Sequence, residues 1–111
     1  HGAEVRQHSR YPGWAAEPDS PFLEVVRRCY QKASGAAVEL KAFHAGLECG
    51  VFKGLDPALQ IASIGPVIRG VHTPEEEVEV ASVALIWSVL RRVAQSMREA
   101  RGQATRGRRE P

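Results

Sequence analysis

Cysteine is scarce in this chain. Cys29 and Cys49 are the only two in 111 residues, too few to staple a small fold with disulfides, so both are read as reduced thiols. Long hydrophobic runs are missing as well. No apolar stretch approaches the roughly 20 residues that span a bilayer, and no membrane partner is expected. The opening His1-Gly-Ala-Glu-Val-Arg lacks the apolar core of a secretory signal. Reduced thiols and the lack of a signal together point to the cytoplasm. There is no internal repeat. There is also no global excess of one charge. The formal charge is +2, but residues 98–111 hold five arginines and two glutamates, whereas residues 1–97 hold ten basic and eleven acidic side chains. Arg98, Arg101, Arg106, Arg108 and Arg109 have no interleaved aromatics and match no nucleic-acid-binding module. Nucleic acid is therefore not an expected partner, and residues 98–111 are expected to be a disordered basic tail.

What is present fits one small domain, or a piece of a larger one. Hydrophobic content of 43% and charged content of 25% are ordinary for a packed chain of this size. Residues 4–10 read as an edge strand or a frayed end. Tyr11-Pro-Gly-Trp14 reads as a turn, because Pro presets φ and Gly supplies positive φ. Ser20 is a good helix N-cap, Pro21 suits the first helical position, and Gly35 suits a left-handed C-cap. Between them Phe22, Val26, Cys29 or Tyr30, and Ala33 fall on one apolar stripe. Val38-Glu-Leu-Lys-Ala42 alternates apolar and polar, as a half-buried strand does. A short helix is expected from Leu47 to Phe52, ended by Lys53-Gly54. A second strand is expected over Leu59–Ile64, stopped by Gly65-Pro66. Thr73-Pro-Glu-Glu76 has the form of a capping box, with the long last helix starting there or nearer Ala81. Val80, Val83, Trp87, Leu90, Ala94 and Met97 mark its expected buried face. The element order is helix–strand–helix–strand–helix, an α/β pattern.

Two stretches do not read as packing sequence. His44-Ala-Gly-Leu-Glu-Cys-Gly50 follows the first expected strand, at the end where α/β folds hold ligands. Gly65-Pro-Val-Ile-Arg-Gly-Val-His-Thr-Pro-Glu-Glu-Glu77 follows the second. Each joins glycines, which allow close backbone approach, to a histidine and carboxylates. A neutral imidazole at His72 can ligate zinc, and it can equally be an exposed loop side chain. Gly46 serves either a backbone contact with a ligand or a tight strand-to-helix turn. Glu75-Glu76-Glu77 is better suited to a helix N-terminus than to a metal. Cys49 has no activating partner in sequence and reads as packing. Arg69 reads as an exposed loop cation.

These blocks, with Tyr11-Pro-Gly-Trp14 and Pro18-Asp-Ser-Pro21 before them, resemble the C-terminal part of the aminoacyl-histidine dipeptidases. These are zinc-dependent cytosolic exopeptidases acting on dipeptides of the Xaa-His type. The likeness runs from about residue 11 to residue 97, in family order. It implies that residues 1–18 are the end of a lid domain and a linker, and that residues 19–97 are the closing segment of a zinc-peptidase catalytic domain. Gly70-Val-His72-Thr-Pro-Glu-Glu76 matches a family motif, Gly-x-His-Ser/Thr-Pro-Asp/Glu-Glu, whose histidine ligates zinc, so the resemblance assigns His72 to the metal. It assigns Gly46 to a backbone contact with the carboxyl end of the substrate, and His44 to the pocket lining. The remaining ligands would come from a His-x-Asp pair, a Glu-Glu pair and a further Asp. The first half of such an enzyme holds them, and no His-x-Asp occurs here. The resemblance therefore implies a parent with one or two zinc ions and a dipeptide substrate. It assigns no catalytic residue to this chain, which alone is expected to carry no zinc and no activity. The competing reading is a non-catalytic association module that kept the fold segment. Under either, the open sheet edge and apolar faces are expected to be covered by homo-oligomerisation.

Overall fold

The computed structural model describes residues 2–8, 12–42 and 46–106, with side chains through residue 103. The described residues form three helices and one two-stranded antiparallel sheet: α1 Pro21–Ser34, α2 Glu48–Leu55, β1 Ile68–Arg69, β2 Glu77–Val78 and α3 Val80–Arg106.

Helix α1 starts and stops as its end residues require. The Ser20 hydroxyl accepts the Leu23 N–H, Pro21 opens the helix, and Gly35 closes it at φ 70° with its N–H on the Gln31 carbonyl. The long Ser20 contact of 3.4 Å is reinforced from elsewhere in the chain. The Gln60 side-chain oxygen accepts the Phe22 N–H at 3.0 Å and the Ser20 hydroxyl at 2.9 Å. A second N-terminal donor is thereby satisfied. Helix α2 runs on past Lys53-Gly54 to Leu55, capped at Asp56. Lys53 pairs with Glu17 and donates to the Leu59 carbonyl, which fixes α2 to its neighbouring loops.

The core lies where α1 packs on α3, the one contacting pair of helices among the described residues. Val26 and Cys29 of α1 and Val89 of α3 are buried. The Cys29 thiol sits 3.7 Å from the Ser96 hydroxyl across the seam. Both cysteines are free thiols, Cys29 buried and Cys49 partly so.

Four expectations are corrected. First, neither 38–42 nor 59–64 forms a strand. A strand exists through its hydrogen-bonded neighbour, and the described residues offer neither segment one. Second, α3 turns a different face to α1. Ser82 and Val89 are buried and Leu85, Ile86, Val93 and Ser96 half-buried, whereas Val80, Val83, Trp87, Leu90 and Met97 are 43–79% exposed. The helix is apolar over more than one face, and α1 can cover only one. Third, α3 continues beyond Met97 to Arg106, where no regular structure was expected. Arg, Glu, Ala and Gln are good helix formers, so the polar composition does not oppose propagation. Residues 107–111 lie outside the described residues. Fourth, of the two expected starts for α3 the later one, near Ala81, agrees with the helix, which begins at Val80, so Thr73–Glu76 does not cap it. Those residues close the turn of a hairpin instead. The expected alternatives for residues 4–10 resolve only in part: residues 2–8 carry no regular structure.

Candidate functional site

The hairpin carries the more distinctive of the two motifs. Its arms pair Ile68 with Val78 and Arg69 with Glu77. The Glu79 N–H extends the ladder onto the Val67 carbonyl. The Ser82 hydroxyl accepts the Val67 N–H at 2.8 Å and donates to the Glu79 carbonyl at 2.6 Å. The foot of the hairpin is thus tied to the first turn of α3, and the helix end carries the loop at its tip. Arg69 adds an ion pair with Glu79 at 3.1 Å and a looser one with Glu77 at 3.9 Å. Arg69 is accordingly a member of the hairpin's own charge network.

The tip is tightly built. Gly70 has φ 60°, and a Cβ there would stand 3.0 Å from the Glu75 carbonyl oxygen and 3.1 Å from the Thr73 hydroxyl. Glycine is required on both counts. The Gly70 carbonyl accepts both the Thr73 N–H and the Thr73 hydroxyl, which in turn accepts the Glu75 N–H. His72 also has positive φ, at 65°, the one non-glycine among the described residues to do so. Its N–H donates to the Glu76 carboxylate at 2.8 Å. The sequence motif is therefore a folded loop with a distinct conformation, and it presents His72 at an exposed tip.

The other motif sits elsewhere. Gly46 precedes Leu47, the N-cap of α2, and borders an open cavity of about 1230 Å3, shared with Trp14, Tyr30, Leu40, Leu47 and Ile61. The segments 38–42 and 61–65 border the same cavity. Glu48 lies in the first turn of α2, and Cys49 behind it is half-buried. His44 lies outside the described residues. His72 does not border the cavity. The structure thus places Gly46 on a wide groove and His72 on a separate hairpin.

Three residues have structural roles that the sequence did not assign to them. Gly50 is buried in α2, and a Cβ on it would collide with the carbonyl oxygen of Pro12. It lets the Pro12-Gly13 segment lie directly on the helix, a close approach that the glycine-rich run hinted at. Gln60 caps α1 from 38 residues away, and no local pattern signals that. Glu76 was read as a helix-capping acid and instead binds the His72 amide. The spacing of four residues within a turn-forming run was the available hint.

His72 is an exposed imidazole on a braced loop. Among the described residues no group of three or more His, Cys, Asp or Glu side chains is placed to hold a metal ion. A complete zinc site needs three protein ligands or more, and the described residues do not bring that many together.

Residues 1–96 match the model of peptidase family M20/M25/M40, and the chain belongs to that family. Peptidases of this family are generally metal-dependent. Among characterised proteins, the chain is similar to the cytosol non-specific dipeptidase of Escherichia coli, 40% identical over 89 residues. The match takes in 80% of this chain and 18% of that enzyme's length. The family assignment agrees with the resemblance read from the glycine and histidine motifs. No helix among the described residues is long and apolar enough to cross a membrane.

Proposed function

We propose that this chain is the C-terminal portion of a zinc-dependent cytoplasmic dipeptidase, acting on dipeptides that include the Xaa-His type. The observation that carries the reading is the His72 loop. A histidine in left-handed conformation, braced by its neighbours and anchored to a helix end, is costly to build and is suited to presenting an imidazole. The family match and the dipeptidase relative support the same reading. In the complete enzyme His72 holds a metal together with ligands from preceding sequence. Zinc, when bound, supplies polarisation of the scissile carbonyl and an activated water. Gly46 offers its backbone to the substrate's carboxyl end, with His44 nearby in sequence. Segments 38–42 and 59–64 take their strand form once neighbouring strands are supplied, giving the helix–strand–helix–strand–helix order of an α/β catalytic domain.

Two substitutions in the complete enzyme separate the roles. Gly46→Val places a branched side chain where substrate approaches, so turnover falls while zinc content holds. His72→Ala removes a ligand, so zinc content itself falls. Near-normal turnover in Gly46→Val would reduce that glycine to a turn residue. Unchanged zinc content in His72→Ala would remove the histidine from the metal site.

A second reading has its own support. The described residues contain no complete metal site, and α3 exposes Val83, Trp87 and Leu90 along one side. Both features suit a non-catalytic module that acts by self-association. A longer reading frame carrying the His-x-Asp and Glu-Glu motifs upstream of this segment would favour the dipeptidase, and a frame without them would favour the module.

A further inference from the structure

We propose that Glu76 is the positioning residue for His72: its carboxylate fixes the backbone of the left-handed turn and so sets the direction in which the imidazole leaves the hairpin. This rests on the reading of His72 as a metal ligand and adds a residue to it. Three observations carry it. His72 has φ 65°, a conformation that side-chain-bearing residues seldom adopt unless held. The His72 N–H, at a loop tip where the ladder has ended, takes as its acceptor Glu76 Oε2 at 2.8 Å, a charge-assisted bond. The rest of the loop is closed independently of that bond. Thr73 bridges Gly70 and Glu75, and the Glu76 N–H donates to the Thr73 carbonyl. The turn therefore has its own closure, and the Glu76 side chain acts on one amide in particular. A ligand's direction depends on its backbone as much as on its side-chain torsions, and groups that orient metal ligands affect affinity without touching the metal.

The carboxylate acts here as an acceptor, which a carboxamide oxygen can replace. Glu76→Gln keeps an acceptor for the His72 N–H and removes the negative charge that a metal ligand would need. Glu76→Ala removes both. The pair thereby separates a positioning role from direct ligation.

Three variants, Glu76→Ala, Glu76→Gln and His72→Ala, are compared by two readouts. One is hydrogen exchange of the His72 amide in the 111-residue chain, measured by NMR in the two Glu76 variants, with amides of the α1–α3 seam as the control for folding. The other is zinc affinity of the complete enzyme, measured by competition with a chromophoric chelator. Glu76→Ala is expected to speed exchange at the His72 amide and to weaken zinc binding by on the order of tenfold, the effect typical of a group that orients a ligand. Glu76→Gln is expected to stay within about threefold of the parent on both, and His72→Ala to lose more zinc affinity than Glu76→Ala. Unchanged amide exchange in Glu76→Ala, or equal damage from Gln and Ala, overturns the proposal. Zinc affinity lost in His72→Ala and kept in Glu76→Ala overturns the positioning role alone. Zinc affinity kept in His72→Ala overturns the ligand reading and the proposal with it.

Discussion

Ser20 and Gln60, 40 residues apart, share one hydrogen bond of 2.9 Å, and Gln60 spends the same oxygen on the Phe22 N–H. The start of α1 is therefore capped by two side chains, one local and one from the segment that borders the large cavity. This couples the position of 59–64 to the helix, so the cap also places one wall of the groove. Ser20→Ala is expected to cost about 1 kcal/mol, as N-cap losses do, and Gln60→Ala a similar amount, about 1 kcal/mol for a satisfied helix donor. Because the two side chains bond to each other, the double variant is expected to depart from additivity by roughly 0.5 kcal/mol or more. Urea denaturation of the four proteins measures this. Strict additivity would mean that Gln60 and Ser20 act independently.

The two glycines of α2 make a sharper test, because they are expected to respond with opposite signs. Alanine in place of a helical glycine ordinarily gains about 0.5–1 kcal/mol. At Gly54 a Cβ meets nothing within 4 Å, so Gly54→Ala is expected to show that gain. At Gly50 it meets the Pro12 carbonyl oxygen, so Gly50→Ala is expected to lose about 1–3 kcal/mol, as overpacked sites do. Thermal denaturation of both variants reads the sign. A gain at Gly50 would show that the Pro12-Gly13 segment is free to move aside.

Helix α3 leads to a prediction about assembly. Trp87 is 63% exposed and Leu90 47%, on a helix whose other face is already taken by α1. Exposed apolar surface of this kind favours association. The chain is expected to sediment as a dimer or larger species, and Trp87→Lys or Leu90→Lys is expected to shift it toward monomer. A monomer at high concentration in the parent chain would count against it.

The ends of α1 were legible from Ser20, Pro21 and Gly35, because caps are local chemistry and the residues that make them are few. The family was legible as well, from the motifs around Gly46 and His72, and the family match agrees with it. The face that α3 buries was not legible. Val80, Val83, Trp87, Leu90, Ala94 and Met97 form a fair apolar stripe, but Leu85, Ile86, Val89 and Val93 form a second, and periodicity cannot rank two stripes on one helix. The expected strands at 38–42 and 59–64 failed for a different reason. Alternation marks a segment able to pair, and pairing depends on a neighbour that lies elsewhere. The role of Glu76 was missed because an acid after Thr-Pro reads as a helix cap until the backbone shows a hairpin.

On the proposed reading, His72 and Gly46 belong to a dipeptidase site whose other metal ligands this chain does not supply. The most direct measurement is hydrolysis of a panel of dipeptides, Xaa-His among them, by the purified 111-residue chain with added zinc. No turnover above the zinc-only background is expected. Zinc-dependent turnover that disappears in His72→Ala would contradict it, because the chain would then hold a complete site of its own.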